Sequence, residues 1–144
     1  MKKLLKIAVI LAIIGVLSAM YVWFFVYNKP HRNYQTAEVD FTLPAQMCYN
    51  QYANRADEAI QYTGKVLQID GIPSSIEKTD STVIIVFAYN TGMFGDEGIR
   101  CSVLPDYQDK VQEIKLMKQV VMKGYCAGYN GTDVILEYCS IITQ

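Results

Sequence analysis

Residues 120–141 read VVMKGYCAGYNGTDVILEYCSI, and this stretch carries the strongest structural signal in the chain. It holds two alternating runs, 120–129 and 133–141, on either side of the dipeptide Asn130-Gly131. An Asn-Gly pair between two such runs is the strongest short-range signal for a β-hairpin. The sequence therefore predicts that the chain ends in two antiparallel strands.

Three further strand-like segments precede this hairpin. They are rich in β-branched and apolar residues and cover 65–72, 82–88 and 99–103. The stretch 89–98 between the second and third contains three glycines, which predicts a loop or wide turn. Five short strands are thus expected between residues 64 and 141.

Two segments show helical spacing instead. The first is predicted to start at Thr42 as the N-cap, with Pro44 in the first turn. A second short helical segment is predicted to follow it from Asp57. Its apolar face comprises Ala45, Cys48, Tyr49, Tyr52, Ala56, Ala59 and Ile60. The second helix is predicted from Asp106, between the third and fourth strands, with a buried edge of Tyr107, Val111 and Ile114.

Three strands, one helix and a closing hairpin follow one another in the order of the OB-fold, a small five-stranded barrel. The predicted fold is therefore mainly β, a barrel of order β1-β2-β3-α-β4-β5 over residues 41–142 with a leading α-helix. Fold alone does not assign a function.

Several short motifs in this region resemble those of the tRNA_anti-like OB-fold family of small bacterial membrane and envelope proteins. The motifs are Tyr62-Thr63-Gly64-Lys65, Ile69-Asp70-Gly71, Ile99-Arg100-Cys101, KGYCAG at 123–128 and VILEYC at 134–139. The resemblance covers about residues 38–142. It implies an OB-fold and no catalytic residues.

The chain begins with an apolar segment. Residues 7–26, IAVILAIIGVLSAMYVWFFV, carry no charge, and a helix of that length spans ~30 Å. We expect residues 1–27 to form a transmembrane anchor that contacts the membrane through residues 4–27, followed by a polar stalk over 28–40. A cleaved signal peptide is disfavoured because the apolar run continues past the small residues Leu17-Ser18-Ala19.

The distribution of charge bears on the orientation of the chain in the membrane and on the partners that it can bind. Lys2, Lys3 and Lys6 precede the apolar segment, which predicts a cytoplasmic N-terminus and an extracytoplasmic, periplasmic domain. Without these three, ten of the 13 Lys and Arg remain against 14 Asp and Glu, so the rest of the chain is near −4. This acidic balance disfavours general nucleic-acid binding, which depends on basic side chains.

The four cysteines, Cys48, Cys101, Cys126 and Cys139, permit three full pairings, and no spacing is C-x-x-C. A two-residue turn would place Cys126 and Cys139 on different rungs, too far apart for a disulfide. Cys101 with Cys139 is the preferred bridge, because the third and fifth OB strands are parallel neighbours. The only histidine, His31, lies in the stalk, so a catalytic Cys–His pair is disfavoured.

A binding surface is expected where OB-folds have one, across the second and third strands. Its rim would be the loops 72–80 and 129–133. The side chains offered there are Tyr89, Phe94, Arg100, Tyr125 and Tyr129. They could stack on a single nucleic-acid strand, or they could pad the outside of the barrel, since the chain contains 11 tyrosines.

Two smaller features have simple explanations. Asp96 and Glu97 lack the spacing of a calcium loop, so a solvated loop explains them better than a metal or acid/base site. Asn130-Gly131-Thr132 matches a glycosylation sequon, but the predicted turn accounts for it.

The sequence thus predicts a non-catalytic binding module with no metal or cofactor, which recognises an envelope protein or a small ligand. The alternative is an oligonucleotide-binding OB-fold domain. An enzyme is a poorer third hypothesis, because no usable histidine, metal spacing or phosphate loop is present.

Overall fold

The computed structural model describes residues 2–27, 33–55, 57–93, 95–114 and 116–143. The chain divides into two compact units, Met1–Arg32 and Asn33–Gln144. Each unit is described here by itself.

The first unit is helical. Helix α1 (Lys2–Val22) continues into a π-helical turn, Trp23–Tyr27. Large apolar side chains along it are exposed, among them Leu11 at 63% and Phe24 at 63%. Among the residues that the structure describes, no helix is long and apolar enough to cross a membrane. The transmembrane helix expected from the sequence is therefore not supported by the structure.

The second unit is mainly β. Its strands are β1 (Phe41–Pro44), β2 (Val66–Gly71), β3 (Ser75–Lys78), β4 (Val83–Gly92), β5 (Gly95–Val103), β6 (Val120–Tyr129) and β7 (Val134–Thr143). They form one sheet of order β1-β2-β6-β7-β5-β4-β3, in which β1 is parallel to β2, β5 is parallel to β7 and the other pairs are antiparallel. The prediction of a five-stranded closed barrel was wrong in strand number and in closure.

Two local features explain the difference. Pro73 has no backbone N–H to donate to a strand ladder. The strand predicted over residues 65–72 therefore ends at Gly71, as β2, and a separate strand, β3, begins at Ser75. Residues 42–44, predicted as the start of a helix, instead belong with Phe41 to an edge strand beside β2. Because β2 and β3 are four residues apart in sequence but at distant positions in the sheet order, the sheet must curl to bring them within about 14 Å.

The helices are shorter than predicted. Helix α2 spans Ala45–Ala53, and a 3₁₀ segment follows at Asp57–Tyr62, where a second segment was expected. The predicted face is buried at Ala45, Cys48, Tyr49, Tyr52 and Ala59, whereas Ile60 is 72% exposed and Ala56 lies outside the described residues.

The helix predicted from Asp106 is not continuous. The structure has two short 3₁₀ segments there, Pro105–Tyr107 and Lys110–Glu113, with no side-chain cap hydrogen bond at either. Val111 and Ile114 are nevertheless buried, as expected. The apolar spacing therefore located the buried edge correctly but overestimated the length of the helix.

Two of the β-hairpins also differ from the expected turns. Strands β4 and β5 extend to Gly92 and Gly95, so most of the predicted loop 89–98 is paired strand. At the other hairpin Tyr129 pairs with Val134, and Asn130 N donates to Asp133 O at 3.0 Å. The connection is thus a four-residue turn in place of the predicted two-residue turn.

Strand β7 contains one extra residue. Along β5 the pairing advances two residues from Cys101 to Val103, while β7 advances three, from Leu136 to Cys139. The ladder with β6 shifts over the same part of β7. Tyr138 adopts a left-handed backbone conformation there, with φ of 54°. Both ladders therefore place a β-bulge at Glu137–Tyr138.

The described part of the predicted stalk, residues 33–40, packs on the sheet. The Tyr34 ring stacks on Tyr138 with centroids 4.8 Å apart and contacts Tyr125 at 5.0 Å. Lys123 Nζ donates to two carbonyls of this segment, and Val66 N donates to Asp40 Oδ2 at 2.8 Å. The rest of the predicted stalk, 28–32, lies outside the described residues.

Candidate functional site

Arg100 is the charged residue that the sequence placed on the binding face, and the structure shows two acidic partners for it. Its Nη1 donates to both carboxylate oxygens of Glu77, at 2.9 and 3.0 Å, and its Nε donates to Asp133 Oδ2 at 3.1 Å. Glu77 lies on β3 and Arg100 on β5, so the ion pair passes over β4. Val86, the β4 residue paired with Arg100, is only 2% exposed.

Asp133 is the buried partner of this cluster. It is 6% exposed, and its Oδ1 accepts a hydrogen bond from Gly98 N at 3.0 Å. Asn130 Oδ1 accepts from the backbone N–H groups of Thr132 and Asp133, which holds the turn that carries the carboxylate. The hairpin turn therefore brings a negative charge against Arg100.

Burial lowers the pKa of Arg100, but its hydrogen bonds to Glu77 and Asp133 raise it more, so the net shift is upward. The guanidinium therefore stays charged, and the carboxylates of Glu77 and Asp133 neutralise its charge. The net charge of this cluster is negative, which disfavours a phosphate group.

Asp96 and Glu97 lie beside this cluster. A concavity of about 200 Å³ is lined by Gly95, Asp96, Glu97, Arg100, Thr132 and Asp133. Glu97 Oε2 accepts from Asn90 Nδ2 at 2.9 Å and from Tyr49 OH at 3.2 Å. Burial, followed by this contact with Glu97, raises the pKa of Tyr49.

We call Glu77, Asp96, Glu97, Arg100 and Asp133 the acidic end, because four carboxylates surround one guanidinium. The residues that the structure describes contain no group of three or more side chains placed to hold a metal ion.

The predicted tyrosines do not join Arg100 on one face. Tyr89 stacks on Tyr49 of α2, with centroids 5.9 Å apart, and Tyr129 stacks on Tyr52 at 5.9 Å. Tyr125 contacts Tyr34, and Phe94 lies outside the described residues. The ring faces are thus used for packing within the domain, which sequence spacing could not show.

All four cysteines are buried free thiols, so the predicted bridge between Cys101 and Cys139 is not formed in the structure. The two side chains are nevertheless hydrogen-bonded to each other. Burial raises the pKa of Cys101 well above 9 and that of Cys48 to about 12. A raised pKa leaves little thiolate at neutral pH, which is unfavourable for a nucleophile.

Glu137 and Tyr138 are not among the side chains that the sequence predicted for a binding surface. In the structure these consecutive residues line one pocket on the outside of the sheet, because the bulge interrupts the alternation of side chains. One signal was available in the sequence. Between the apolar residues Leu136 and Cys139 stand two residues, where strict alternation would place one.

Comparisons with known proteins bear on the fold. A search of curated proteins found no match. The family model named tRNA_anti-like matches residues 1–141, which extends beyond the expected region to include the N-terminal helix. The chain therefore belongs to the tRNA_anti-like family, which is an OB-fold family and supports an OB-fold binding domain.

Proposed function

We propose that this protein is a membrane-associated OB-fold module that binds an envelope protein or a small ligand and performs no catalysis. The observation that carries the proposal is the acidic end, where the single Arg100 guanidinium is already bound by Glu77 and Asp133. A surface of this charge repels phosphate groups and favours basic or neutral partners.

The preference against nucleic acid has a direct test. Fluorescence anisotropy with a labelled single-stranded oligonucleotide at low salt should show no binding below ~0.1 mM, a concentration that even non-specific binders usually reach. Micromolar, salt-sensitive binding would instead establish the oligonucleotide-binding alternative. The double variant E77Q/D133N is a useful comparison, because removing both carboxylates frees Arg100 and should raise any weak affinity.

A protein partner can be sought at the same surface. A photo-crosslinking residue in place of Asp96 should capture a partner in intact cells. The matched control carries the same residue at Lys65, which is exposed beside β2, three strands from β5 in the sheet. Equal capture at both positions, or none at position 96, would count against a protein partner at the acidic end.

The membrane part of the proposal rests on the exposed apolar side chains of α1 and of the π-helical turn after it, such as Leu17 at 61% and Trp23 at 61%. Such a surface is costly in water and favourable in contact with lipid. Lys2, Lys3 and Lys6 favour a cytoplasmic N-terminus.

We expect the full chain to stay with membranes after alkaline carbonate extraction. In a separate experiment, protease added outside the cytoplasmic membrane should digest the domain. Release of the full chain by carbonate, or resistance of the domain to the protease, would overturn this part of the proposal. Neither result would affect the binding experiments.

A further inference from the structure

A second concave site lies on the outside of the β5–β7 seam, at the bulge. Its volume is about 370 Å³, within the range of small-ligand sites. The end of β5, the start of β4, the 3₁₀ turn at Pro105 and the bulge residues Glu137 and Tyr138 contribute to its walls. We call it the bulge pocket.

The polar side chains of the bulge pocket are not engaged elsewhere in the described structure. They are Ser81, Thr82, Ser102, Gln108, Glu137 and Tyr138. Within the described ranges, none of their side-chain oxygen or nitrogen atoms makes a hydrogen bond or an ion pair. Six polar side chains without a hydrogen-bond partner among the described residues therefore line one concavity, where they are available to a polar ligand.

The backbone at the bulge supports the same interpretation. Tyr138 is 41% exposed and has a φ of 54°, a conformation that costs a non-glycine residue of order 1 kcal/mol or more. One ring face is covered by Tyr34, whose ring is only 13° from parallel. This stack holds Tyr138 at the rim of the pocket.

The charge of the lining restricts the ligand. Among the described residues that line the pocket, Glu137 is the one that carries a charge. An anion is therefore unfavourable. Hydroxyl, amide and carboxylate groups match a ligand rich in hydroxyls, while Leu104, Pro105 and the Tyr138 ring match the apolar C–H faces of a sugar ring.

We propose that the bulge pocket binds an uncharged saccharide. Glu137 accepts hydrogen bonds from its hydroxyls, and Ser102 and Gln108 fix its orientation. This site goes beyond the proposed function, which concerns the acidic end.

The test is calorimetric titration of the full chain with chitotriose, cellotriose and maltotriose. The protein should be held in a zwitterionic detergent, because alkyl glycosides would themselves compete for a sugar site. We expect at least one trisaccharide to bind with a Kd below about 1 mM. E137Q and S102A should each weaken binding about tenfold, since each removes or weakens a hydrogen bond to the ligand.

One further variant keeps the test interpretable. T91A, on an exposed part of β4 outside the pocket, should bind the sugar as the unmodified chain does. Circular dichroism verifies that each variant is folded.

Absence of binding by all three sugars below about 10 mM would overturn the proposal. Equal affinity of E137Q, S102A and the unmodified chain, or tighter binding of a sulfated sugar, would overturn it as well. None of these results depends on crosslinking at position 96, so the two proposals can fail separately.

Discussion

The acidic end includes Asp96, Glu97 and Arg100 of β5, and the bulge pocket begins at Ser102 of the same strand. The two neighbouring sites use their polar groups differently. At the acidic end, Arg100, Asp133 and Glu97 are hydrogen-bonded to other residues of the domain. In the bulge pocket, Ser102 and Glu137 make no such bonds within the described residues. The paired groups of the acidic end therefore contribute to the stability of the fold as well as to the charge of the surface, whereas the bulge pocket keeps its groups available for a ligand.

This contrast separates stability from binding on one surface. A charged, conspicuous cluster can be mainly structural, because its charges are already paired. A set of mostly uncharged side chains with little sequence signal can be a second candidate for recognition.

The largest difference between the two sites should appear with D133N. Asp133 is buried and bonds both Gly98 N and Arg100, so its loss should lower the free energy of unfolding by about 1–3 kcal/mol. Urea denaturation measures this, with E137Q as the matched control in the bulge pocket. The control should stay within about 0.5 kcal/mol, and equal losses in the two variants would remove the distinction.

A second effect concerns the thiols beneath this surface. The pKa of Cys48 is raised from 9.0 to about 12 in the folded protein, chiefly by burial. Its contribution to stability is therefore complete below pH 9 and is lost as the pH rises from 9 towards 12, at about 1.4 kcal/mol per pH unit.

Urea denaturation of the unmodified chain and of C48A at pH 8, 9.5 and 10.5 tests this effect. The variant should be less stable at pH 8 but should lose stability less steeply above pH 9. Parallel pH profiles for the two proteins would contradict the assignment to Cys48.

A smaller effect is expected for E77Q. Glu77 has a side chain 49% exposed, so its ion pair with Arg100 is screened by solvent. The loss of stability should be under about 1 kcal/mol and should shrink further in 1 M salt. A loss as large as that of D133N would show that the exposed and buried partners of Arg100 contribute equally.

The smallest effect on stability is expected within the bulge pocket. The double variant S102A/Q108A removes two side chains that have no hydrogen-bond partner among the described residues. The free energy of unfolding, measured by thermal denaturation, should therefore change by less than about 0.5 kcal/mol. A larger loss would mean that these groups support the fold and are not reserved for a ligand.

The prediction from sequence succeeded where a local pattern fixes the outcome. Strand β6 was predicted with the bounds observed, Val120–Tyr129, and the buried face of α2 was correct at four positions, since alternation and helical spacing report burial directly. The prediction failed where pairing between distant segments of the chain determines the secondary structure. The loop predicted at 89–98 became paired strand because β4 and β5 pair through Asn90 with Glu97.

The candidate site divides in the same way. Arg100 was correctly placed on the outside of the third predicted strand, but its neutralisation by Glu77 and Asp133 involves residues 23 and 33 positions away. The tyrosines were recognised as a group, yet their stacking partners come from α2 and from the segment before β1. No local pattern contains that information.

The sequence by itself located five of the seven observed strands, most of the buried faces and the apolar first helix, because these follow from side-chain periodicity within short windows. Only the tertiary structure decided the curled seven-stranded sheet, the bulge at Glu137–Tyr138 and the pairing of Arg100. The physical reason is that register, bulges and ion pairs depend on which distant strand lies alongside. That choice is made by the packing of the whole domain.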